Sequence, residues 1–411
     1  MITHARDAVS PAGARRPMMG GAARRRSHRI NDEVLAHGAR PGADADPAAA
    51  REVDVVVVGG GQAGLATGFY LRRAGLVPGH DFVIVDAADR PGGAWPRTWD
   101  GLRLFSPATF SSLPGWMMPS WDDATRGFPP RDHVVDYLTH YEERYDLQVL
   151  RPHRVTSVRR ADTDPHGRLV VEADDLTLAA RSVVSATGTW ERPFWPSHPG
   201  MGDFTGRQLH AADYRVPEEF AGQSVVVVGG GNSAAQILAE VSRVATATWV
   251  TTRQPRFLAD DVDGRVLFAT ARARIKALEE GRDHAGVAGL GDIVMVASVK
   301  DARDRGVLRA EPMFSRLTAD GVTWADGETR RCDAVIWCTG FRPALRHLHP
   351  LRLRTSEGRI PVGGESGTQA LEEPRLHLVG YGDWTGPASS TLAGVGASAK
   401  STASTVAALV G

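Results

Sequence analysis

Residues 53–75 read VDVVVVGGGQAGLATGFYLRRAG, and their pattern indicates the fold class. An apolar run typical of a buried strand, Val53 to Val58, ends in a glycine-rich turn that leads into a helical pattern. Gly59, Gly61 and Gly64 fill the spacing G-x-G-x-x-G. The first glycine permits the tight turn, the second lets a pyrophosphate approach the backbone, and the third lets the helix pack closely on the strand. The segment predicts a dinucleotide site at the helix N-terminus.

The residues around this turn indicate which part of a nucleotide they meet. A second predicted strand, Asp81 to Val85, ends in Asp86, where a carboxylate accepts hydrogen bonds from the ribose hydroxyls of an adenosine without a 2′-phosphate. Gln62 and Ala63 begin the helix beside the expected pyrophosphate. The alternative is a glycine-rich turn that binds no ligand.

The pattern returns at residues 223–241, QSVVVVGGGNSAAQILAEV. Gly229 and Gly231 take the glycine positions of G-x-G-x-x-A between a predicted strand and a predicted helix. Asn232 and Ser233 follow, where they either donate hydrogen bonds to a pyrophosphate or nicotinamide ribose or cap the helix. Two such units predict two dinucleotides in one chain.

The strand after the second turn ends without a carboxylate. Residues 247–250 are followed by Thr251-Thr252-Arg253, which places a cation near the ribose 2′ position. A guanidinium pairs with a 2′-phosphate, whereas a carboxylate would repel it. The pattern favours NADPH over NADH, and a solvated surface arginine is the alternative.

These units predict an α/β fold with two Rossmann-like dinucleotide-binding domains, in which the NADPH domain is inserted into a discontinuous FAD domain. Two apolar strands that end in Thr187-Gly188 and Thr339-Gly340 are typical of the two connections between such domains, although each could be an ordinary strand closed by a glycine turn. The predicted boundaries are 1–50 for a disordered N-terminal extension, 51–193 for the first part of the FAD domain, 194–331 for the NADPH domain and 332–411 for the second part of the FAD domain.

The segment before the second turn is the most specific. Residues 204–214, FTGRQLHAADY, place Phe204, Gly206, His210 and Tyr214 in the pattern F-x-G-x-x-x-H-x-x-x-Y. The pattern resembles the signature of the class B flavin-containing monooxygenases. Its final Tyr is more similar to the flavin-containing and N-hydroxylating branches than to the Baeyer-Villiger branch.

The resemblance covers residues 53–400. Gly92-Gly93-Ala94-Trp95 is similar to the GG-x-W motif that the family places near the flavin. Three longer stretches, GGAWPRTWDGLRLFSPATFSSLPGW, PRFLADDVDGRVLF and GYGDWTGPASSTL, resemble the ArsO-type flavin monooxygenases of bacterial arsenic-resistance gene clusters.

The resemblance implies a monooxygenase that consumes NADPH and uses FAD to form a C4a-hydroperoxyflavin from O2. A small soft nucleophile, with sulfur, nitrogen or trivalent arsenic as its reacting atom, then takes the distal oxygen. The cofactor performs the chemistry and the polypeptide positions it. We expect Phe105 to Trp121 to form a compact, mostly apolar substrate pocket.

The family comparison also names individual residues. His210 is expected to act as a hinge latch that couples domain closure to bound nucleotide. The segment LRLFSP lacks the Asn that amine- and sulfide-type members place beside the flavin, so Ser106 or a backbone group must replace its hydrogen bond, or more NADPH is wasted as peroxide. Gly382-Asp383 is similar to a pair that holds the ribityl chain, with a loop or cap role for Asp383 as the alternative. The candidate catalytic residues are Ser106 and His210, and the candidate cofactor-binding residues are Gly59, Gly61, Gln62, Ala63, Gly64, Asp86, Gly93, Ala94, Trp95, Leu104, Ser106, Val155, Thr187, Gly188, Gly229, Gly231, Asn232, Ser233, Arg253, Thr339, Gly340 and Asp383.

Composition excludes several other classes. With 48 basic and 48 acidic residues the net charge is zero, which argues against nucleic acid as a partner. No apolar run reaches the roughly 18 residues of a membrane helix, so we expect a cytoplasmic protein without a membrane partner. The acidic cluster at residues 260–264 lacks the remaining ligands of a calcium loop, and we expect no metal.

Two alternatives share both nucleotide turns. One is an NADPH-dependent flavin oxidoreductase or oxidase without oxygen transfer, and the other is a flavin redox sensor. A disulfide reductase needs C-x-x-C or C-x4-C, whereas five residues separate Cys332 from Cys338. Steady NADPH turnover with O2 uptake distinguishes an enzyme from a sensor. The sequence gives no indication for or against a homo-oligomer.

Overall fold

The computed structural model describes residues 50–122, 127–266, 269–270, 273, 280 and 293–411. These residues belong to one compact unit that spans Arg40–Gly411. The predicted extension at residues 1–50 lies outside the described residues except for its last position. Parallel strands and helices alternate along the chain, which confirms the predicted α/β class.

The elements of the described residues are numbered in chain order. The strands are β1 (Arg51–Val58), β2 (Phe82–Val85), β3 (Val155–Arg160), β4 (Leu169–Ala173), β5 (Leu176–Ser185), β6 (Arg207–His210), β7 (Ser224–Val228), β8 (Thr246–Thr251), β9 (Ala310–Pro312), β10 (Arg316–Thr318), β11 (Gly321–Thr323), β12 (Thr329–Arg331), β13 (Ala334–Trp337), β14 (Val362–Gly363), β15 (Gln369–Ala370) and β16 (Glu373–Leu378). The α-helices are α1 (Gln62–Arg73), α2 (Arg131–Arg144), α3 (Asn232–Val241), α4 (Ala297–Asp304) and α5 (Val395–Val410). Short 3₁₀ turns lie at Trp95–Arg97, Ala108–Phe110, Pro217–Phe220, Arg346–Leu351 and Gly382–Thr385.

The first sheet has the strand order β14-β15-β16-β5-β1-β2, and β3 and β4 join it through β5. β1 pairs in parallel with both β2 and β5, and β16 pairs in parallel with β5. The valines of β1 are buried, as expected for a strand that parallel neighbours flank and helices cover. α1 and α5 pack together in the same core, which contains Leu65, Val395 and Val406.

The second sheet has the strand order β6-β13-β7-β8-β9 and is parallel throughout. Ile237 and Leu238 of α3 pack in its core together with Trp249. β13 differs from the sequence-based division, because it follows the predicted boundary at residue 332 yet lies between β6 and β7. The chain returns to the first sheet only after this strand. The sequence did not indicate this, because β13 is a short apolar segment, AVIW, that would be buried equally well in either sheet.

Two connections join the sheets, and they run side by side in opposite directions. The Phe194 N–H donates to the Gly340 carbonyl at 2.9 Å, and the Ala344 N–H donates to the Gly188 carbonyl at 2.9 Å. Between these bonds the Arg342 N–H donates to the Arg192 carbonyl. We call residues 188–194 and 340–344 the crossover ribbon. It places the carboxyl ends of β5 and β13 at its two ends.

Candidate active site

A glycine cradle lies where β1 meets α1. Gly59 has a φ of +110°, and a Cβ there would lie 2.6 Å from the Ala186 carbonyl oxygen. A Cβ on Gly64 would lie 1.8 Å from the Gly59 carbonyl oxygen, so the helix can begin here only because the residue is glycine. Within the described part of the chain, no side chain caps α1 at Gly61. The first-turn N–H groups are therefore available, and the cradle fits a pyrophosphate.

Two further segments converge on this cradle. The Trp95 Nε1 donates to Gln62 Oε1 at 3.2 Å, and Gln62 Nε2 donates to the Ser390 carbonyl at 2.6 Å. A Cβ on Gly93 would lie 2.7 Å from the Gly61 Cα, so the two backbones are in contact. The predicted flavin-site residues that lie together here are Gly59, Gly61, Gln62, Ala63, Gly64, Gly93, Ala94 and Trp95.

Asp86 follows β2 at the edge of the cradle, as the sequence predicts. It is 8% exposed, and its Oδ2 accepts a hydrogen bond from the Gly60 N–H at 2.7 Å. Its Oδ1 accepts from the Ala88 N–H at 2.8 Å. The carboxylate is thus fixed beside the glycine turn, where ribose hydroxyls of an adenosine would reach it.

Arg151 completes this end of the cradle, and no sequence motif indicates it. Its guanidinium is 2.6 Å from Glu142 Oε1 and 3.9 Å from Asp86 Oδ2. Burial raises the pKa of Glu142, and the contact with Arg151 opposes that shift. Arg151 is far from Asp86 along the chain, and only the pairing of Val85 with Leu150 brings the two together.

A second cradle lies where β7 meets α3. Gly229 has a φ of +139°, and a Cβ there would lie 2.4 Å from the Cys338 carbonyl oxygen. A Cβ on Gly231 would meet no described atom within 4 Å, and no described side chain caps α3. The open helix N-terminus fits a second pyrophosphate.

The polar candidates around the second cradle have distinct environments. Asn232 is exposed, and its Oδ1 accepts from the Val294 N–H at 2.8 Å, so its carbonyl oxygen anchors the segment before α4 instead of capping α3. Ser233 is half-buried at the start of α3. Arg253 is exposed two residues beyond β8, on the strand end where a ribose 2′ substituent would lie.

His210 ends β6 and packs against the crossover ribbon. Its ring centroid is 5.1 Å from that of Phe341 and 6.1 Å from that of Trp195. Nδ1 accepts from the Ala212 N–H at 3.0 Å, so the neutral ring has its proton on Nε2, which is buried without a hydrogen bond to any described atom. Burial lowers the pKa of His210, and the nearby Gly340 carbonyl acts in the opposite direction. The ring is therefore neutral at neutral pH.

The two Thr-Gly pairs lie at opposite ends of the ribbon. Gly188 has a φ of +62° and Gly340 a φ of +79°, and a Cβ on either would meet no described atom within 4 Å. Thr339 Oγ1 donates to the Phe194 carbonyl, and Thr187 Oγ1 donates to the Ala344 carbonyl at 2.8 Å. In each pair the threonine thus binds the other strand of the ribbon, while the glycine faces space that no described atom fills.

Ser106 is 2% exposed, and its hydroxyl lies 2.6 Å from the Ser111 hydroxyl. A Cβ on Gly264 would lie 2.4 Å from the Ser106 Cβ, and the Gly264 N–H donates to the Phe105 carbonyl at 2.8 Å. The loop that contains the acidic cluster therefore closes over the segment that lacks the family's Asn. A hydroxyl offers one proton, so its pairing with Ser111 limits what Ser106 can donate elsewhere.

A cavity of about 530 Å³ lies beside this loop. None of the residues from Phe105 to Trp121 lines this cavity, and Leu113 and Met118 of that segment are buried in the core of the first sheet. The substrate pocket expected in that segment stays a prediction. The wall combines apolar and charged side chains, among which are Leu104, Phe128, Met295, Arg103, Glu240, Asp260, Asp261, Asp263, Arg265 and Lys300. Leu104 is the predicted cofactor-site residue that reaches it.

The remaining candidates lie at the margins. Asp383 is exposed, and its Oδ1 accepts from the Ala388 N–H at 3.3 Å, a contact that supports the turn role left open by the sequence. Trp384 Nε1 donates to the Ile360 carbonyl at 3.0 Å, and this bond fixes the indole ring. Val155 is half-buried at the start of β3, where it pairs with Ala173.

Neither cysteine is part of a redox pair. Cys332 and Cys338 lie on opposite ends of β13, which at strand spacing places them on the order of 20 Å apart. Burial raises the pKa of Cys332 to about 11 and also raises that of Cys338, so both thiols resist ionisation. No group of three or more His, Cys, Asp or Glu among the described residues could hold a metal ion. The described helices are all too short or too polar to cross a membrane.

Comparisons with known proteins agree with this geometry. Residues 56–380 match the pyridine nucleotide-disulphide oxidoreductase family. The solved flavin-containing monooxygenase from Stenotrophomonas maltophilia is 50% identical, the alignment covers 87% of this chain and 99% of that one, and the TM-score is 0.77.

Curated relatives are more distant. An uncharacterized CzcO-like oxidoreductase from Geobacillus kaustophilus is 29% identical over 70% of this chain and 80% of its own length. A Baeyer-Villiger monooxygenase from Streptomyces coelicolor is 33% identical over 55% of this chain and 42% of its own length. The chain belongs to the pyridine nucleotide-disulphide oxidoreductase family and is a flavin monooxygenase that uses FAD and NADPH.

Proposed function

We propose that this monooxygenase transfers one oxygen atom of O2 to a small soft nucleophile whose reacting atom is sulfur, nitrogen or trivalent arsenic. The observation that carries the proposal is the pair of glycine cradles at the carboxyl ends of parallel strands in two sheets that the crossover ribbon joins. Open α/β sheets bind nucleotides at these ends, and two cradles serve two dinucleotides.

We assign FAD to the first cradle and therefore the FAD domain to the first sheet. FAD and NADPH supply the reducing equivalents and the activation of oxygen. The N–H groups at the start of α1 bind the pyrophosphate, and Asp86 accepts from the ribose hydroxyls while Arg151 holds the carboxylate in place. Trp95 and Thr187-Gly188 border the flavin end, because they lie on the segments that converge on the cradle.

We assign NADPH to the second cradle and the NADPH domain to the second sheet. Gly229 and Gly231 admit the pyrophosphate, and Arg253 pairs with the 2′-phosphate. His210 serves as a latch on the ribbon and is not a proton-transfer base, since it is neutral, fully buried and packed on Phe341.

The cavity beside Leu104 suits a small substrate. Its volume of about 530 Å³ lies within the range of small-molecule sites. It borders the segment that precedes Ser106, which the family resemblance places beside the flavin. An ArsO-type role in arsenic detoxification is the narrowest form of this proposal and is supported by the three stretches that resemble those proteins.

Isotope labelling tests the function directly. The holoenzyme would be given NADPH and ¹⁸O2 together with a thioether, a tertiary amine or a trivalent arsenical. We expect one ¹⁸O atom in the product and one in water for each NADPH oxidised. If every substrate class instead yields only hydrogen peroxide, the chain is an NADPH oxidase, and tight cofactor binding without turnover would indicate a sensor.

A further inference from the structure

A buried chain of hydrogen bonds holds the end of the crossover ribbon next to the first sheet. His347 Nε2 lies 3.1 Å from Ser185 Oγ, Ser185 Oγ lies 2.7 Å from Tyr381 Oη, Tyr381 Oη lies 2.7 Å from Thr187 Oγ1, and Thr187 Oγ1 lies 2.8 Å from the Ala344 carbonyl oxygen. Ser185 ends β5 and Thr187 directly precedes the ribbon. Ala344 ends the returning strand of the ribbon, His347 lies in the 3₁₀ turn that follows it, and Tyr381 follows β16. No sequence motif connects them.

The direction of each hydrogen bond follows from the Ala344 carbonyl at the end of the series, because this group can only accept. A carbonyl only accepts, so Thr187 Oγ1 donates to Ala344 and must accept from Tyr381 Oη. Tyr381 has then used its single proton, and its oxygen accepts from the Thr187 N–H at 3.2 Å and from Ser185 Oγ. Ser185 in turn accepts from His347 Nε2. Every hydrogen bond in this series therefore points in the same direction, with His347 as the first donor and the Ala344 carbonyl as the last acceptor.

The state of His347 agrees with this direction. This series of hydrogen bonds requires a proton on His347 Nε2, and the neutral tautomer that is protonated on Nε2 provides it. His347 is 5% exposed, and burial lowers its pKa to about 4. The ring is therefore neutral at neutral pH and donates to Ser185 through a single defined nitrogen.

We propose that Tyr381 is a positioning residue that locks the Thr187-Gly188 turn to the returning strand of the ribbon and so sets how the nicotinamide meets the flavin. The proposal rests on the proposed function, because that function places Thr187-Gly188 at the flavin. Tyr381 occupies a central place, since its oxygen contacts the turn while its own N–H donates to Thr385 Oγ1 at 3.0 Å.

Loss of the phenolic oxygen removes a hydrogen-bond partner from three groups. The Thr187 N–H loses its acceptor, Ser185 loses the partner to which it donates, and Thr187 Oγ1 loses its donor. Buried groups left without partners are unfavourable, so the turn would shift or admit water. Because hydride transfer is sensitive to small displacements, the rate of flavin reduction should fall. The affinity for NADPH should not fall, because NADPH binding depends on the second cradle.

Tyr381→Phe in the holoenzyme tests this separation. Under anaerobic conditions we expect the flavin reduction rate at saturating NADPH to fall at least about fivefold while the Kd for NADPH changes less than about twofold. Hydrogen–deuterium exchange in peptides covering residues 186–194 and 339–344 should increase. Tyr141→Phe is the matched control, because Tyr141 is also a buried tyrosine and donates one hydrogen bond, to the Pro114 carbonyl at 2.6 Å. This control should change neither readout.

Two variants of His347 test the direction of the hydrogen bonds. They also test the proposal if Tyr381→Phe does not fold. His347→Gln keeps an N–H donor toward Ser185, whereas His347→Leu removes it. We expect His347→Leu to slow reduction and increase exchange, and His347→Gln to restore both toward the wild type. Wild-type reduction and exchange in Tyr381→Phe, or identical behaviour of the two His347 variants, would overturn the proposal. Failure of oxygen transfer in the wild type would instead refute the proposed function, since anaerobic reduction involves no oxygen.

Discussion

Substituting Gly93 by Ala tests whether the contact between the GG-x-W segment and the first cradle supports FAD binding. Gly93 has a φ of +60°, and its added Cβ would lie 2.7 Å from the Gly61 Cα. Ordinary contact begins at 3.4 Å, so one of the two segments must move by about 0.7 Å. The Gly61 Cα is a backbone atom and the added Cβ is bonded directly to the backbone, so neither can rotate away as the end of a flexible side chain would.

The size of the effect follows from this displacement. Overpacking of a tightly packed site costs about 1–3 kcal/mol. The strain is relieved when Gly61 moves away from the position in which the cradle meets a pyrophosphate, so the cost falls mainly on the bound state. At about 1.4 kcal/mol for each factor of ten, we expect the Kd for FAD to rise about 5- to 150-fold.

Titration of the FAD-free protein with FAD, followed by the quenching of flavin fluorescence, measures this change. Gly222→Ala is the matched control, because Gly222 has a φ of +74° but a Cβ there would meet no described atom within 4 Å. It introduces similar left-handed strain without the backbone contact, and its Kd for FAD should match the wild type. Wild-type affinity in Gly93→Ala would refute the reasoning, as would equal losses in both variants.

Three other changes test further parts of the molecule. Arg253→Ala should raise the KM for NADPH about tenfold and change the KM for NADH little, because only NADPH has a 2′-phosphate that pairs with the guanidinium. Equal changes of both KM values in steady-state kinetics would contradict the assignment. Ser106→Ala should increase the peroxide released per NADPH by at least about twofold in a peroxidase-coupled assay, and unchanged peroxide would exclude Ser106 as the replacement for the absent Asn. Burial lowers the pKa of His377 from 6.5 to about 4, so the unfolded chain binds the proton first as the pH falls through this window. Between pH 7 and pH 5 we expect the wild type to lose about 2 kcal/mol more unfolding free energy than His377→Leu in denaturant titrations, and equal losses would contradict this.

The sequence predicted the parts of the fold that are continuous in the chain. Both strand–turn–helix units appear where the glycine spacing indicates, with β1 leading to α1 and β7 leading to α3. Local sterics fix such turns, because a Cβ on Gly64 would strike the preceding turn itself. Asp86 could be placed at the first cradle from the sequence because it directly follows β2, the next strand after α1, which pairs with β1.

Features that depend on pairing between distant segments could not be predicted in this way. β13 is apolar and follows the predicted boundary, but its sheet is decided by register with Val225 to Val228, which no local pattern encodes. Arg151 reaches the cradle only through the neighbouring strand pairing, and Tyr381 reaches Thr187 only after the chain has crossed to the second sheet and returned. Each of these contacts joins residues whose own neighbours in sequence show no motif.

The crossover ribbon also constrains how this enzyme can move. A single connection would let the second sheet rotate about several axes, whereas two antiparallel connections joined by backbone hydrogen bonds resist shear and separation. Bending and twisting of the ribbon remain as its easier motions. His210 packs on one end of the ribbon through Phe341, and Tyr381 holds the other end through Thr187, so both ends of the ribbon are tied to the sheets that it joins. A change at either end should therefore alter the approach of the two cofactors more than the binding of either one.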